Sequence, residues 1–314
     1  MGRTGIVGIT TLCGAFAAGP SLAIATGSPS SLILVYLSQL PLFIGGLWLG
    51  AGVALAAGVT ASIMLLAASN ITAALMFAAV NVVPVILLVR QALLARTATA
   101  GAIEWYPPGL LTAWLTGLGL TAIAVAFLLV GGPDSLQSAI REMLAPALDR
   151  LFDERAPGRD ELAHLLAMIT PGLVAASWMA MTLINGILAQ GLLARFGASW
   201  RPSPALATLS LPRWFPVLPV LAAATTAVGG TMRFFGINMI IVLTVPFCLA
   251  GLAVLHTIAY RFSRPALLLV SFYVLAGLFG WPLLLITVLG LIDASLRLRG
   301  RSPFRHSLGG TNDG

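Results

Sequence analysis

The chain reads as an all-α protein: a polytopic bundle of about eight to ten transmembrane helices with one short amphipathic extracytoplasmic segment. Three observations predict this. Of 314 residues, 59% are hydrophobic and only 9% are charged, and the mean hydropathy is +0.99, whereas soluble domains carry roughly 25% charged residues to coat a wet surface. The apolar residues fall into runs long enough to cross a bilayer, which takes about 20 residues per helix. The arginines stand singly between those runs and do not gather on one face.

The first run, Gly5 to Thr26, is long enough for one span. Residues 31–69 carry no charge and would reach about 58 Å as one helix, nearly twice a hydrocarbon core of about 30 Å. They must therefore fold back once, and the hinge is expected near Gly50–Gly52. A fourth span covers Ile71 to Leu94 and ends at Arg90 and Arg96. A fifth, Gly109 to Gly131, follows the belt-like sequence Trp105-Tyr106-Pro107-Pro108.

Residues 134–165 differ in character, with seven acids against four arginines. Leu136, Ile140, Leu144, Leu148 and Leu151 recur every three to four residues, so 135–152 reads as an amphipathic helix lying on the surface, broken by Ala156-Pro157-Gly158. A sixth span runs from about Leu166 to Phe196, interrupted by Pro171. A polar-rimmed loop, Gly197 to Arg213, precedes spans at 214–232 and 236–260. The last apolar stretch, 265–296, is too long for one crossing, and Gly280-Trp281-Pro282 divides it into a tight hairpin. The expected organisation is a five-span region at 1–133, the acidic extracytoplasmic segment at 134–165, a second membrane region at 166–298 and a basic tail at 299–314.

With an even number of crossings, twelve of the 17 arginines share a side with both termini, and four of the other five lie in the acidic segment. The positive-inside rule then puts both termini in the cytoplasm of a bacterial inner membrane. A rival reading concerns the first run. Arg3, the apolar stretch to Ala18, Gly19-Pro20 and Ala23-Ile24-Ala25 have the parts of a cleavable signal peptide, although the Gly/Ala content also suits a packed membrane helix.

Composition excludes several chemistries. All 17 basic residues are arginine, so there is no P-loop lysine, no lysine for a Schiff base and no Ser-Lys dyad. The two cysteines, Cys13 and Cys248, lie in apolar runs and make neither a disulfide framework nor a metal site. Scattered arginines do not form a nucleic-acid face despite the net charge of +7. No catalytic residue, cofactor-binding residue, metal ligand or cofactor is assigned.

Polar groups inside apolar runs need partners, so each asks for a reason. They are Gln39, Asn70, Asn81, Asn185, Gln190, Asn238, His256 and Asp293. Asn81 precedes Pro84 by three residues, and the proline frees a nearby carbonyl. Trp178, Thr182 and Asn185 fall on one helical face. These four are the expected ligand-lining residues; interhelical hydrogen bonding and a packing seam are the plainer alternatives. His256 reads as an interfacial, hydrogen-bonded histidine, and Asp293 as the partner of Arg297 one turn on. Glu161 and His164 have metal-ligand spacing, but one pair gives two ligands where zinc needs three or four. Small residues recur at intervals of four along Gly46, Gly50, Ala54, Gly58 and Ser62, and in Gly14/Ala18 and Ala15/Gly19, which lets helices approach closely.

The whole chain resembles the YybS-like family of predicted bacterial integral membrane proteins, of unknown function. The residues carrying the likeness are Leu37-Ser38-Gln39-Leu40-Pro41-Leu42, Leu183-Ile184-Asn185-Gly186, Arg201-Pro202-Ser203-Pro204, Leu211-Pro212-Arg213-Trp214, Gly251-Leu252-Ala253-Val254-Leu255-His256, and the arginine-rich end after Gly290-Leu291-Ile292-Asp293. The first four spans are more distantly similar to the substrate-binding S components of energy-coupling-factor vitamin transporters. That likeness implies a docking face for a coupling subunit at Gly14, Ala15, Ala18 and Gly19. The expected function is non-catalytic binding of a small solute or lipid, as a transporter's substrate-binding subunit. The alternative is an inner-membrane scaffold or assembly partner without a ligand, and a lipid-modifying enzyme is the third. The expected partners are the bilayer, another membrane subunit and a small-molecule or lipid ligand, with no nucleic acid.

Overall fold

The computed structural model describes residues 2–23, 34–98, 101–152 and 158–297. The tail arginines at 299, 301 and 305, the Ala23-Ile24-Ala25 motif beyond its first residue, and the Ala156-Pro157 break lie outside them. The chain divides into two compact units, residues 1–121 with 177–204 and residues 122–176 with 205–314.

In the first unit, α1 (Arg3–Ala23) packs on α3 (Ala51–Ala68). A side chain at Gly14 would begin 2.7 Å from the Ala57 carbonyl oxygen and 2.8 Å from Thr60 Cβ, so glycine is what lets these helices touch. Helix α2 (Leu40–Leu49) turns into α3 at Gly50, whose φ of +102° suits a residue without Cβ. The charge-free stretch therefore folds back at the expected hinge. Asn70 caps the next helix by accepting from the Ala73 amide at 2.8 Å, and α4 (Ile71–Ala92) follows. Its middle turn, Ala78–Val82, widens into a π-helix, and Gly58 of α3 lies directly against Val82 there.

A two-stranded antiparallel hairpin, β1 (Ala95–Thr97) and β2 (Ile103–Trp105), then reverses the chain, with Arg96 paired to Glu104 at 2.7 Å. Apolar periodicity could not reveal strands of three residues. They lead into α5 (Pro108–Val130), where the Trp114 indole donates to the Tyr106 hydroxyl at 3.1 Å.

In the second unit, α6 (Pro133–Leu151) is the expected amphipathic helix; its Ile140 and Leu148 are buried. It is tied to the start of α7 (Arg159–Arg195) by Arg141 against His164 Nδ1 at 2.6 Å and by an Arg159–Asp149 ion pair. Helix α7 departs from expectation in two ways. It begins inside the acidic segment, not near Leu166, and it runs unbroken through Pro171. The division between the two compact units falls within α5 and within α7. A helix of 37 residues reaches about 55 Å and packs along its length on different neighbours.

Helix α8 (Val217–Val228) doubles back at Gly229 (φ +87°) onto α9 (Gly230–Ala259), and Gly236 of α9 lies against Ala222 and Thr226. Helices α10 (Pro265–Phe279) and α11 (Pro282–Leu296) are bent by 119° at the Gly280-Trp281 break. Gly251 and Gly290 bring α9 and α11 to backbone contact.

Among the described residues, six helices are long and apolar enough to cross a membrane. The bent α10–α11 pair and two shorter apolar helices, Leu34–Leu49 and α8, stand beside them. This is an all-α, multi-pass helical bundle.

Candidate functional site

Two prolines open the backbone of the first unit. Val80 lies four residues before Pro84, whose nitrogen has no hydrogen, so the Val80 carbonyl lacks its usual helical donor. The π-helical turn at Ala78–Val82 forms just before that proline, and such bulges mark functional positions more often than chance. In the other segment Pro41 removes a donor after Leu37, and the turn tightens. Leu40 N–H bonds to Leu37 at 3.0 Å, which leaves the Tyr36 carbonyl free of it.

Side chains from α7 and from the turn take up both carbonyls. The Val80 oxygen accepts from Gln39 Nε2 at 3.2 Å and from Trp178 Nε1 at 3.0 Å. The Tyr36 oxygen accepts from Asn185 Nδ2 at 2.6 Å. Ser38 donates to Asn81 Oδ1 at 3.2 Å, and the Tyr36 and Ser177 hydroxyls meet at 3.1 Å. These bonds tie Asn81, Trp178 and Asn185 to the 36–39 turn and the Val80 carbonyl, and Thr182 lies between Trp178 and Asn185 on α7 without a bond of its own to them. The sequence reading did not assign Gln39, Ser38 and the two backbone carbonyls to this cluster. The available signals were a proline two residues after Gln39 and one four residues after Val80.

The cluster is at mid-depth. Asn81 is ten residues from Ile71 and eleven from Ala92, about 15 Å from either end of α4 and so half of a core about 30 Å thick. Its three innermost side chains are sealed in: Gln39 and Thr182 are 0% exposed and Asn185 is 1%. Each has a buried oxygen with no hydrogen-bond partner, namely Gln39 Oε1, Thr182 Oγ1 and Asn185 Oδ1. An unpaired buried polar group costs about 1–3 kcal/mol. Three such atoms need an explanation.

Other candidates resolve differently. Asn238 is saturated: Oδ1 accepts from Gly172 N–H at 2.6 Å, and Nδ2 donates to Met168 at 3.0 Å and Phe234 at 2.8 Å. His256 bonds the Leu252 carbonyl one turn back at 2.9 Å. Gln190 donates to the Arg201 carbonyl at 2.7 Å. Asp293 is buried, and its carbonyl accepts from the Arg297 amide at 2.7 Å where the chain turns left-handed at φ +53°. Among the described residues, no three His, Cys, Asp or Glu side chains gather as metal ligands.

The residues of the expected docking face lie in different surroundings. Gly14 and Ala18 are buried, with Gly14 pressed on α3, while Gly19 is exposed with open space above it. The four residues do not form one free surface, because two of them already pack within the chain.

A buried arginine holds the loop after α7. Arg201 donates to the Ala92 carbonyl at the end of α4 at 3.2 Å, and Trp200 donates to the Trp48 carbonyl at the end of α2 at 2.6 Å. Both groups satisfy helix C-terminal oxygens, where a cation is favoured. Burial pulls the Arg201 guanidinium below its ordinary value. A groove of about 360 Å³ runs beside the β-hairpin, lined by Arg96, Glu104, Trp105 and Tyr106, but its two charges already face each other.

Fold and cluster together define a multi-pass membrane protein with a neutral polar site among its helices. The chain belongs to the family described as Predicted membrane protein (DUF2232), whose model matches residues 21–294. No curated protein and no solved structure matches it.

Proposed function

We propose that this protein binds a small solute or lipid group at the Gln39–Asn81–Asn185 cluster and performs no covalent chemistry on it. The observation that carries the reading is the set of three unpartnered oxygens at mid-depth. Membrane interiors tolerate polar groups and irregular backbone where these line a site, and the interrupted 34–49 segment and the π-turn of α4 are both of that kind. The cluster reaches the surface through Tyr36, which is half-exposed, and through half-buried Asn81 and Trp178.

The finer role is that of a substrate-binding subunit of a transporter in a bacterial inner membrane, with both termini in the cytoplasm. The likeness of the first four spans to S components supports the subunit role, and the arginine asymmetry supports the orientation. The binding test is native mass spectrometry of the chain extracted together with its surrounding membrane. A low-mass adduct should survive on the wild type and be lost from Asn185→Leu. A bare chain in repeated preparations refutes the proposal.

A further inference from the structure

Resting on that reading, we infer that the site selects an uncharged ligand presenting hydroxyl or N–H donors, and rejects anions. The orientation of the two amides decides this. Both hydrogens of Asn185 Nδ2 are engaged, on Tyr36 and Met181 carbonyls at 2.6 and 2.8 Å. Gln39 Nε2 is engaged on the Val80 carbonyl at 3.2 Å. Turning either amide would set its oxygen against a carbonyl oxygen, so the two amide oxygens are the atoms left wholly unpartnered, while Gln39 Nε2 keeps a second N–H.

Thr182 completes the set. Elsewhere in these helices threonine returns its hydroxyl proton to a carbonyl one turn back, as Thr116, Thr170 and Thr257 do at 2.9, 2.6 and 2.8 Å. Thr182 is fully buried and does not. Its hydroxyl is free both to accept and to donate.

Three neutral oxygens present lone pairs to whatever enters. A carboxylate or phosphate would meet two carbonyl oxygens with no cation beside it, because residues 34–89 and 166–194 contain no charged side chain. An ammonium would find acceptors but no carboxylate, and an unpaired charge at this depth is costly. A neutral hydroxyl or amide satisfies the acceptors without importing charge. Such donors occur on soluble polyols and on lipids with hydroxyl headgroups.

The experiment follows thermal unfolding of the full chain in dodecyldimethylamine oxide micelles, a detergent without hydroxyl or N–H donors, with four probes. Oleyl alcohol, oleate and oleylammonium share one chain and differ only in the head; myo-inositol is the soluble donor. A ligand that binds the folded state raises the midpoint. Oleyl alcohol (a lipid source) or myo-inositol (a soluble source) should raise it at concentrations where oleate does not, and should bind about tenfold more weakly to Thr182→Val. Tighter binding of oleate or oleylammonium, with the same dependence on Thr182, overturns the neutral-donor assignment while leaving a binding site in place. No shift with any probe overturns the assignment for both sources. Without probes, Thr182→Val should leave the midpoint unchanged or raise it, since it removes a hydroxyl without a partner. A lowered midpoint there, together with no probe shift, defeats the inference and the binding function alike.

Discussion

Replacing Asn238 by leucine tests how the longest helix tolerates its proline. The Asn238 carboxamide bridges Gly172 N–H and the Met168 carbonyl, two groups that face each other along α7 beside Pro171. Leucine keeps comparable volume and deletes both bonds. Interhelical hydrogen bonds in membranes average about 0.6 kcal/mol with a ceiling near 1.7, so the pair is worth about 1–3 kcal/mol. Gly172 supplies an independent handle. A Cβ there would come within 2.9 Å of Asn238 Oδ1 and 3.0 Å of Ile241 Cβ, so Gly172→Ala pushes the same amide away. The assay is reversible SDS unfolding in mixed micelles followed by circular dichroism. Each single variant should lose about 1–3 kcal/mol, and the double variant should fall short of their sum by at least about 0.5 kcal/mol. Additive losses, or a leucine variant as stable as wild type, would refute the bridging role.

Gly251→Ala and Gly290→Ala each drive a Cβ into backbone of the facing helix, so both should lower stability by at least about 1–3 kcal/mol in the same assay. Pro84→Ala restores an N–H that competes for the Val80 carbonyl. It should loosen the Trp178 indole bond, seen as a shift in tryptophan emission, and weaken any oleyl alcohol binding. Arg201→Ala removes the donor to the end of α4 and should cost about 1–3 kcal/mol, measured by SDS unfolding. Reporter fusions should place residue 158 opposite residues 213 and 264, since α7 crosses once and the α8–α9 hairpin returns to its starting side; a fusion at 158 on the same side as 213 contradicts this.

Much of the architecture was readable because the bilayer imposes it. The absence of charge over 31–69 demanded a fold-back, and Gly50 was the residue able to make it. Gly280-Trp281-Pro282 announced the break between α10 and α11 in the same way. Two features were hidden for physical reasons. Pro171 would ordinarily interrupt a helix, and only the distant Asn238 shows how α7 continues. The extension of α7 back to Arg159 lies in mixed-charge sequence, where composition signals the surface but not whether a helix joins the next span. Within the site, the face of Trp178, Thr182 and Asn185 followed from helical spacing. Its partners could not, because Val80 and Tyr36 contribute backbone carbonyls, and residue type carries no trace of a freed carbonyl except through a nearby proline.

Two asparagines show why residue type alone does not identify a binding position in a membrane. Asn238 and Asn185 are both fully enclosed, each one turn beyond a carbonyl it bonds on its own helix. Asn238 also gives its oxygen to a backbone amide that Gly172 leaves accessible, so its hydrogen-bonding capacity is filled and it acts as a rivet. Asn185 gives both hydrogens to carbonyls and keeps its oxygen unpaired, one turn from a threonine that withholds its usual back-bond, and Gln39 likewise keeps its oxygen unpaired. Packing selects for filled capacity, because every vacancy in a low-dielectric interior raises the energy of the empty state. Two amide oxygens without donors and a hydroxyl without its back-bond leave capacity open, and that open capacity is what the proposed neutral donor would fill.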